Sequence, residues 1–294
     1  MDSRLNSFLE RAESVLARLE PLLPAIRSDV DWTRTLAARW QRDGRTGYLL
    51  PLDVSLDMRL SDLIGVDRQQ QQLAGNTRQF LHGLPANHAL LWGARGTGKS
   101  SLVRALLAEY AADGLRLIEI ERDHLADLPR VVEQLTKLPQ RFVVFCDDLS
   151  FESGEGDYRI LKSVLDGSLE QAPDNVLLYA TSNRRHLVPE KESDNAHWQN
   201  VDGEIHASEA VEDKIALSDR FGLWLSFYPF TQEHYLSVVE HWIATLATQA
   251  ALSWQRDDEL DVLAVRWATS RGNRNGRCAY QFARYWVGLK LLEQ

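Results

Sequence analysis

The spacing of hydrophobic positions changes along the chain, and the first change predicts an N-terminal helical segment. Over residues 5–19, apolar residues recur every three or four positions, which is the spacing of an amphipathic helix. A second helical stretch is expected around Trp32, Leu36 and Trp40, before a loop with glycine and proline breaks the pattern. We therefore predict that residues 1–55 form a helical segment.

The middle of the chain predicts an α/β unit over residues 56–230, because short apolar runs alternate there with helical patterns. Five of these runs have the length and the flanking turn residues of strands: HALLW (88–92), LRLIEI (115–120), FVVFCD (142–147), NVLLYAT (175–181) and LWLSFY (223–228). The expected core is a parallel five-stranded sheet. After Phe230 the pattern is helical, which predicts a small C-terminal helical lid over residues 231–294.

One long polar segment interrupts the α/β pattern between Arg184 and Ile215. It has no apolar periodicity and is longer than an ordinary connection between elements. We expect either a functional insertion or a mobile loop. Its histidines and carboxylates, among them His197 and His206, lack the spacing of metal ligands, so no metal site is predicted in the insertion.

Composition narrows the class of protein without naming a partner. The net charge of -9 does not favour nucleic acid, whose phosphates call for a basic surface. Tryptophans such as Trp92, Trp224 and Trp242 lie in apolar runs or on helical faces, so we expect them to pack in cores and not to stack on bases. Two cysteines and no membrane-spanning apolar run favour a cytoplasmic protein that does not enter a membrane.

A glycine-rich turn carries the strongest chemical signal. GARGTGKS (93–100) matches GxxxxGK(S/T) and lies between a predicted strand and a predicted helix, which is the context of a P-loop. In such a loop the lysine contacts the β- and γ-phosphates and the hydroxyl contacts magnesium. The alternative is a glycine turn capped by serine. We predict that ATP is bound by Gly93, Ala94, Arg95, Gly96, Thr97, Gly98, Lys99, Ser100 and Ser101, with Ser100 also contacting Mg²⁺.

Two carboxylates follow the strand FVVFCD, and an amide follows the next strand. Ligands of open α/β sheets bind at the carboxyl ends of strands, so Asp147 is expected to hold magnesium and Asp148 to orient the attacking water. Asn183, in TSNRR (181–185), is expected to position water or the γ-phosphate. The alternatives are a solvated acidic turn after a core strand and a plain polar turn.

Two arginines outside these strands are further candidates. Arg220 precedes the last predicted strand, where its guanidinium can contact a phosphate bidentately, and the alternative is a surface salt bridge. Arg277 opens the final helix, where a cation opposes the helix dipole, so a functional reason is worth seeking. We favour Arg277 as a phosphate sensor, with Arg274 second. A merely solvated basic loop is the alternative.

Taken in order over residues 55–292, these motifs resemble the AAA+ ATPases. DLIGVD (62–67) resembles the family's N-terminal linker, which implies that Ile64 flanks the adenine. GARGTGKS resembles Walker A and FVVFCDD resembles Walker B. The resemblance also implies that Asn183 is sensor 1, that Arg220 is the arginine finger of a neighbouring site, and that Arg277 is sensor 2.

A narrower resemblance is to a bacterial family of AAA+ ATPases classed as a domain of unknown function, carried by strings such as SNRRHLVPE and LSDRFGLW. One departure from most AAA+ proteins is that Asp148 stands where they carry glutamate, so the resemblance also implies that Glu152 could activate water instead. The implied enzyme is an ATPase, a homo-oligomer that remodels or loads a macromolecule. The alternatives are a slow ATP-dependent switch or scaffold, and a helicase-loader-like protein.

Overall fold

The fold is seen in a computed structural model, which describes most of the chain. The described residues are 30–44, 46–149, 173–183 and 220–293, with residues 11, 161–162 and 165 and the backbone of 199–201 and 204–206. The predicted helix over residues 5–19, Glu152, and the side chains of the predicted insertion lie outside these residues. Within them, no helix is long and apolar enough to cross a membrane.

Seven strands of the described chain form one sheet: β1 (Ala37–Asp43), β2 (Thr46–Leu52), β3 (Ala89–Gly93), β4 (Leu115–Glu119), β5 (Arg141–Cys146), β6 (Val176–Ser182) and β9 (Leu223–Phe227). Their order in the sheet is β2-β1-β4-β5-β6-β3-β9. Every neighbouring pair is parallel except β1 and β2. Two short strands, β7 (Gln199–Val201) and β8 (Glu204–His206), pair separately.

The central strands β3, β5 and β6 are mostly apolar because helices cover both faces of the sheet. Leu90 points into one hydrophobic cluster, where α3 (Leu128–Thr136) packs. The neighbouring Leu91 points into the opposite cluster, which contains side chains of α1 (Asp67–Leu81) and α2 (Lys99–Tyr110). The five predicted parallel strands are therefore present, and β3 feeds directly into the glycine turn and α2.

The prediction of five strands was too low, and the predicted helix through Trp40 is wrong. β1 pairs with β4 and β2 pairs with β1, so residues 37–52 belong to the sheet and not to a helical segment. Trp32, Leu36 and Trp40 are four residues apart, which imitates a helix. Pairing with β4 overrides that spacing, because it buries Ala37 on one face of the sheet and Ala38 and Trp40 on the other.

Three helices form a C-terminal helical domain with its own hydrophobic cluster: α4 (Gln232–Gln249), α5 (Asp258–Ser270) and α6 (Gly276–Leu292). Each begins at a side-chain cap, with Thr231, Asp257 and Asn275 accepting a hydrogen bond from the first turn. Tyr235 and Phe282 are among the buried residues of this cluster. Ile64, from the segment before α1, also packs against it, so that segment lies between the sheet and the helical domain.

Candidate nucleotide-binding site

The glycine turn lies at the carboxyl end of β3 and continues into α2. Gly93 has φ 135°, and a Cβ there would lie 1.9 Å from the carbonyl oxygen of Phe227, so only glycine fits beside β9. Gly98 has φ 99° and is the residue before α2. The turn is thus bent back over the start of the helix, and the amides of the first helical turn have no partner within the helix.

Lys99 is buried at the base of this turn. Its ammonium donates to the carbonyl oxygens of Gly93 and Ala94, both at 2.8 Å, and to Asn183 Oδ1 at 3.2 Å. The side chain is only 6% exposed, and burial lowers the pKa of Lys99 to about 8, although the carboxylates of Asp147 and Asp148 oppose the change. The protein therefore holds a poorly hydrated cation beside the turn.

Asp147 lies directly opposite Ser100. Ser100 Oγ donates to Asp147 Oδ1 at 2.6 Å, and Thr181 Oγ1 donates to the same oxygen at 2.5 Å. The group consists of hydroxyl and carboxylate oxygens, which are the ligands that Mg²⁺ prefers. Magnesium commonly binds through one or two carboxylates together with substrate phosphates, so Ser100 and Asp147 are sufficient protein ligands and fit that ion.

Asp148 contacts two other site residues. Asn183 Nδ2 donates to Asp148 Oδ1, and Arg95 Nη2 lies 3.8 Å from Asp148 Oδ2. The backbone of Asp148 has φ 55°, in the left-handed region, and its amide donates to Thr181 Oγ1 at 2.9 Å. Asp148, Asn183 and the glycine turn, three separate parts of the sequence, therefore meet at one edge of the sheet.

A cavity of about 820 Å³ runs from this edge to the helical domain. Its far end is lined by Ile64, Trp242 and Tyr280, and the rings of Trp242 and Tyr280 meet edge to face at 4.7 Å. His234 Nε2 donates to the carbonyl oxygen of Ile64 at 2.8 Å, which fixes that segment to α4. The cavity thus joins a charged end at the sheet to an apolar end at the helical domain.

The three predicted arginines occupy different places. Arg277 lines the cavity at the start of α6, whereas Arg274 lies outside it. Arg220 precedes β9, at the amino end of a strand whose carboxyl end adjoins the turn, and it does not line the cavity. The structure therefore brings Arg277 into the site and leaves Arg220 at the opposite edge of the sheet.

Several residues of the site were missed by the sequence analysis. Thr181 donates to the carboxylate of Asp147 and accepts from the backbone amide of Asp148, yet its only signal was its place at the end of a strand. Asn275 donates through Nδ2 to the carbonyl oxygen of Arg95 at 3.3 Å, although the two residues are 180 positions apart. Trp242 was predicted to pack in a core, but it also lines the cavity. Its helical spacing could not distinguish those two environments.

Solved structures show what fold this arrangement belongs to. Aeropyrum pernix ORC1 in complex with DNA matches at a TM-score of 0.52 with 17% identity, covering 80% of this chain and 65% of that one. A mutant of Thermotoga maritima RuvB matches at 0.51 with 15% identity, covering 77% and 64%. This chain thus spans a little under two thirds of the length of these proteins. The similarity shows that this chain shares the fold of these proteins.

A family model places the chain more narrowly. No curated protein matches it significantly. The model of the family described as "Protein of unknown function (DUF815)" matches residues 33–290, which include the whole sheet, the glycine turn and nearly all of the helical domain. Since that match covers most of the sequence, the chain belongs to the DUF815 family.

Proposed function

We propose that this protein is an AAA+ ATPase that binds ATP with magnesium in the cavity between the sheet and the helical domain and hydrolyses it. The observation that carries the proposal is the convergence of Lys99, Asp147, Asp148 and Asn183 at one end of that cavity. A cation, a magnesium-type ligand set and a carboxylate for water are the groups that phosphoryl transfer needs.

The phosphates are bound by the glycine turn and Lys99. Backbone amides at the start of α2 point toward the phosphates, and the ammonium of Lys99 supplies a full positive charge to the β- and γ-phosphate oxygens. The base lies at the apolar end, against Ile64, Trp242 and Tyr280. In this arrangement the helical domain closes the cavity as a lid.

Ser100 and Asp147 hold the magnesium ion. When bound, the ion neutralises charge on the β- and γ-phosphate oxygens. Thr181 donates to Asp147 and so keeps the carboxylate aimed at Ser100, which is the role of a supporting hydrogen bond around a metal site.

Asp148 orients the attacking water and takes up its proton. The water oxygen bonds to the γ-phosphorus, the bond to the bridging oxygen of ADP breaks, and phosphate and ADP leave. Asn183 holds the Asp148 carboxylate and contacts Lys99, so it ties the water-orienting group to the phosphate-binding group. Arg277 lies where its guanidinium can contact the phosphates from the helical domain.

The protein acts as a homo-oligomer in the cytoplasm, remodelling or loading a macromolecular partner. The support for assembly is Arg220, which lies at the edge of the sheet opposite the turn and would serve the site of a neighbouring subunit. The net charge of -9 favours a protein partner over nucleic acid.

A slow ATP-dependent switch is the second candidate, and the length of one side chain favours it. Aspartate at position 148 is one methylene shorter than the glutamate that most AAA+ proteins carry there, so its carboxylate lies farther from the attacking water. Such a water-orienting group turns over slowly. Purified turnover separates the two candidates, because a motor exceeds roughly one ATP per minute and is accelerated by its partner, whereas a switch remains below that rate.

The experiment that tests the proposal compares the parent protein with Asp148→Asn. Calorimetric titration with ATP and magnesium is expected to give similar affinities, while phosphate release falls by about 100-fold, because the amide cannot accept the proton of water. Asp113→Asn, in the turn that follows α2 and outside the cavity, removes the same charge and should retain the parent rate. Parent-level hydrolysis by Asp148→Asn would reject Asp148 as the water-orienting group.

A further inference from the structure

Arg95 contacts the site from a position that the P-loop motif leaves open to almost any residue. Its guanidinium Nη2 lies 3.8 Å from Asp148 Oδ2, and its carbonyl oxygen accepts a hydrogen bond from Asn275 Nδ2 at 3.3 Å. Asp148 belongs to the sheet edge, and Asn275 belongs to the helical domain. Arg95 therefore contacts Asp148 through its side chain and Asn275 through its backbone carbonyl.

Specific hydrogen bonds and close packing join the glycine turn to the start of α6 in the helical domain. Asn275 caps α6 through Oδ1, which accepts from Cys278 N at 2.9 Å, and the same side chain uses Nδ2 for Arg95. Next to it, Gly276 N donates to the carbonyl oxygen of Gly96 at 2.9 Å. A Cβ on Gly96 would lie 2.6 Å from Asn275 Cγ, so the turn and the helix start fit closely.

The contact with Asp148 concerns a residue in an unusual conformation. A non-glycine residue at φ 55° is held only where its surroundings determine it, and such residues occur at active sites. Asn183 holds one carboxylate oxygen of Asp148, and Arg95 lies nearest the other. The direction of the carboxylate is thus set by Asn183, from the same edge of the sheet, and by Arg95, which belongs to the glycine turn.

We propose that Arg95 is a positioning residue that couples the helical domain to hydrolysis by orienting the carboxylate of Asp148. The inference rests on the proposed ATPase function and names a regulation of that site. The side chains of Arg95 and Asp148 are 82% and 59% exposed, so their ion pair adds little to folding stability. The effect of this ion pair is on the orientation of the Asp148 carboxylate. A movement of α6 displaces the turn carbonyls, and Arg95 transmits that displacement to Asp148.

The first test separates turnover from binding in Arg95→Ala. The expected result is a kcat lower by about tenfold with KM and the ATP dissociation constant within about twofold, since only the orientation of Asp148 is lost. Arg95→Lys keeps a cation and should recover part of the lost rate. Arg68→Ala, on the exposed side of α1, removes the same charge outside the cavity and should match the parent. An unchanged kcat, or a loss confined to binding, overturns the proposal.

The second test asks whether Arg95 acts through Asp148. In the Asp148→Asn background the charge that Arg95 orients is gone, so adding Arg95→Ala should lower kcat by less than about twofold further. Independent losses that multiply, tenfold in both backgrounds, would show that Arg95 acts elsewhere and would reject the positioning role.

The third test breaks the contact with the helical domain. Asn275→Asp keeps the helix cap, because aspartate also accepts from Cys278 N, but removes the donor to Arg95. We expect kcat to fall by about threefold to tenfold with the midpoint of thermal unfolding nearly unchanged. Asp257→Asn, the reverse exchange at the cap of α5, also keeps a capping acceptor and should alter neither. An unchanged kcat in Asn275→Asp rejects the coupling.

The parent protein, assayed alongside, distinguishes failure of this inference from failure of the proposed function. If the parent binds ATP and releases phosphate while all Arg95 and Asn275 variants equal it, the ATPase assignment stands and the coupling is rejected. If the parent neither binds nor hydrolyses ATP, the proposed function itself is rejected, and the coupling with it.

Discussion

The two edges of the sheet use the same strands for different purposes. At the carboxyl edge, ionisable and polar side chains contact one another: Lys99 contacts Asn183, which contacts Asp148, and Ser100 contacts Asp147. The hydrogen bonds there join the side chains that the proposed function assigns to phosphate, magnesium and water. This edge tolerates a buried cation with a lowered pKa and a non-glycine residue in the left-handed region.

At the amino edge, polar side chains bond mainly to the backbone. Asn175 Nδ2 donates to the carbonyl oxygens of Leu135, Leu138 and Gln140, and His88 Nδ1 accepts from Leu178 N at 2.9 Å. These bonds join strands to loops and satisfy groups that would otherwise be buried without partners. The carboxyl edge therefore presents the candidate functional groups, whereas the side chains of the amino edge stabilise the fold. Arg220 is the proposed exception at the amino edge.

Substitution of Arg220 should have the largest effect, although the residue lies at the amino edge. If it is an arginine finger for a neighbouring site, Arg220→Ala should bind ATP normally and lose about 10³-fold in hydrolysis, because charge on the γ-phosphoryl oxygens goes unneutralised in the transition state. Arg220→Lys keeps the charge but not the bidentate geometry, so it should stay impaired.

A mixture tests whether Arg220 acts across subunits. Arg220→Ala subunits retain an intact P-loop, and Lys99→Ala subunits retain Arg220, so complete sites form where the two meet and part of the activity should return. Phosphate release and light scattering are measured on the same sample. If the two variants co-assemble and the mixture stays inactive, the amino edge is architectural throughout and the trans role is lost.

Lys99 tests the chemical edge. Lys99→Ala should weaken ATP binding by about 100-fold, since a charge-assisted hydrogen bond to phosphate is lost. The free energy of unfolding should change little, because the loss of three hydrogen bonds from the ammonium is offset by relief of the desolvation cost that lowers its pKa. Calorimetric titration and thermal unfolding measure the two effects. Lys99→Met serves as the control of similar volume, and a large loss of stability in it would show that Lys99 is an architectural residue.

Asn175 tests the architectural edge. Asn175→Asp keeps the shape of the side chain but removes its donors, so three carbonyl oxygens lose a partner, and the free energy of unfolding should fall by about 3 kcal/mol. ATP affinity should be unchanged, since the residue lies at the end of the sheet away from the turn. Urea denaturation and calorimetry check both. Weakened ATP binding without loss of stability would reverse the assignment.

His88 should make the smallest difference, and only at acidic pH. Burial lowers the pKa of His88 to about 4, so between pH 6.5 and 4 the unfolded chain binds a proton that the folded protein does not. Stability is therefore complete above pH 6.5 and lost as the pH falls toward 4, by about 2 kcal/mol after allowance for partial exposure. Urea denaturation of His88→Gln should show a correspondingly shallower decline. Equal pH dependence in both proteins would contradict the prediction.

Elements with a continuous local pattern could be predicted from the sequence. The five predicted strands are short apolar runs between turns, and parallel pairing under two layers of helices favours that pattern. The glycine turn was identifiable because Gly93 and Gly98 meet backbone constraints that few other residues satisfy. Asp147 and Asp148 were identifiable because they end a buried strand, where carboxylates are rare without a reason.

Strands and contacts that depend on residues distant in sequence became evident only in the tertiary structure. β1 is a strand because β4 offers it an edge, whereas the local spacing of Trp40 suggested a helix. Asn275 reaches Arg95, and Thr181 reaches Asp147, through contacts that leave no local pattern. Hydrophobic periodicity records which face of an element is buried but not which element buries it. The contact between the helical domain and the glycine turn therefore could not be predicted from the sequence pattern and is seen only in the folded structure.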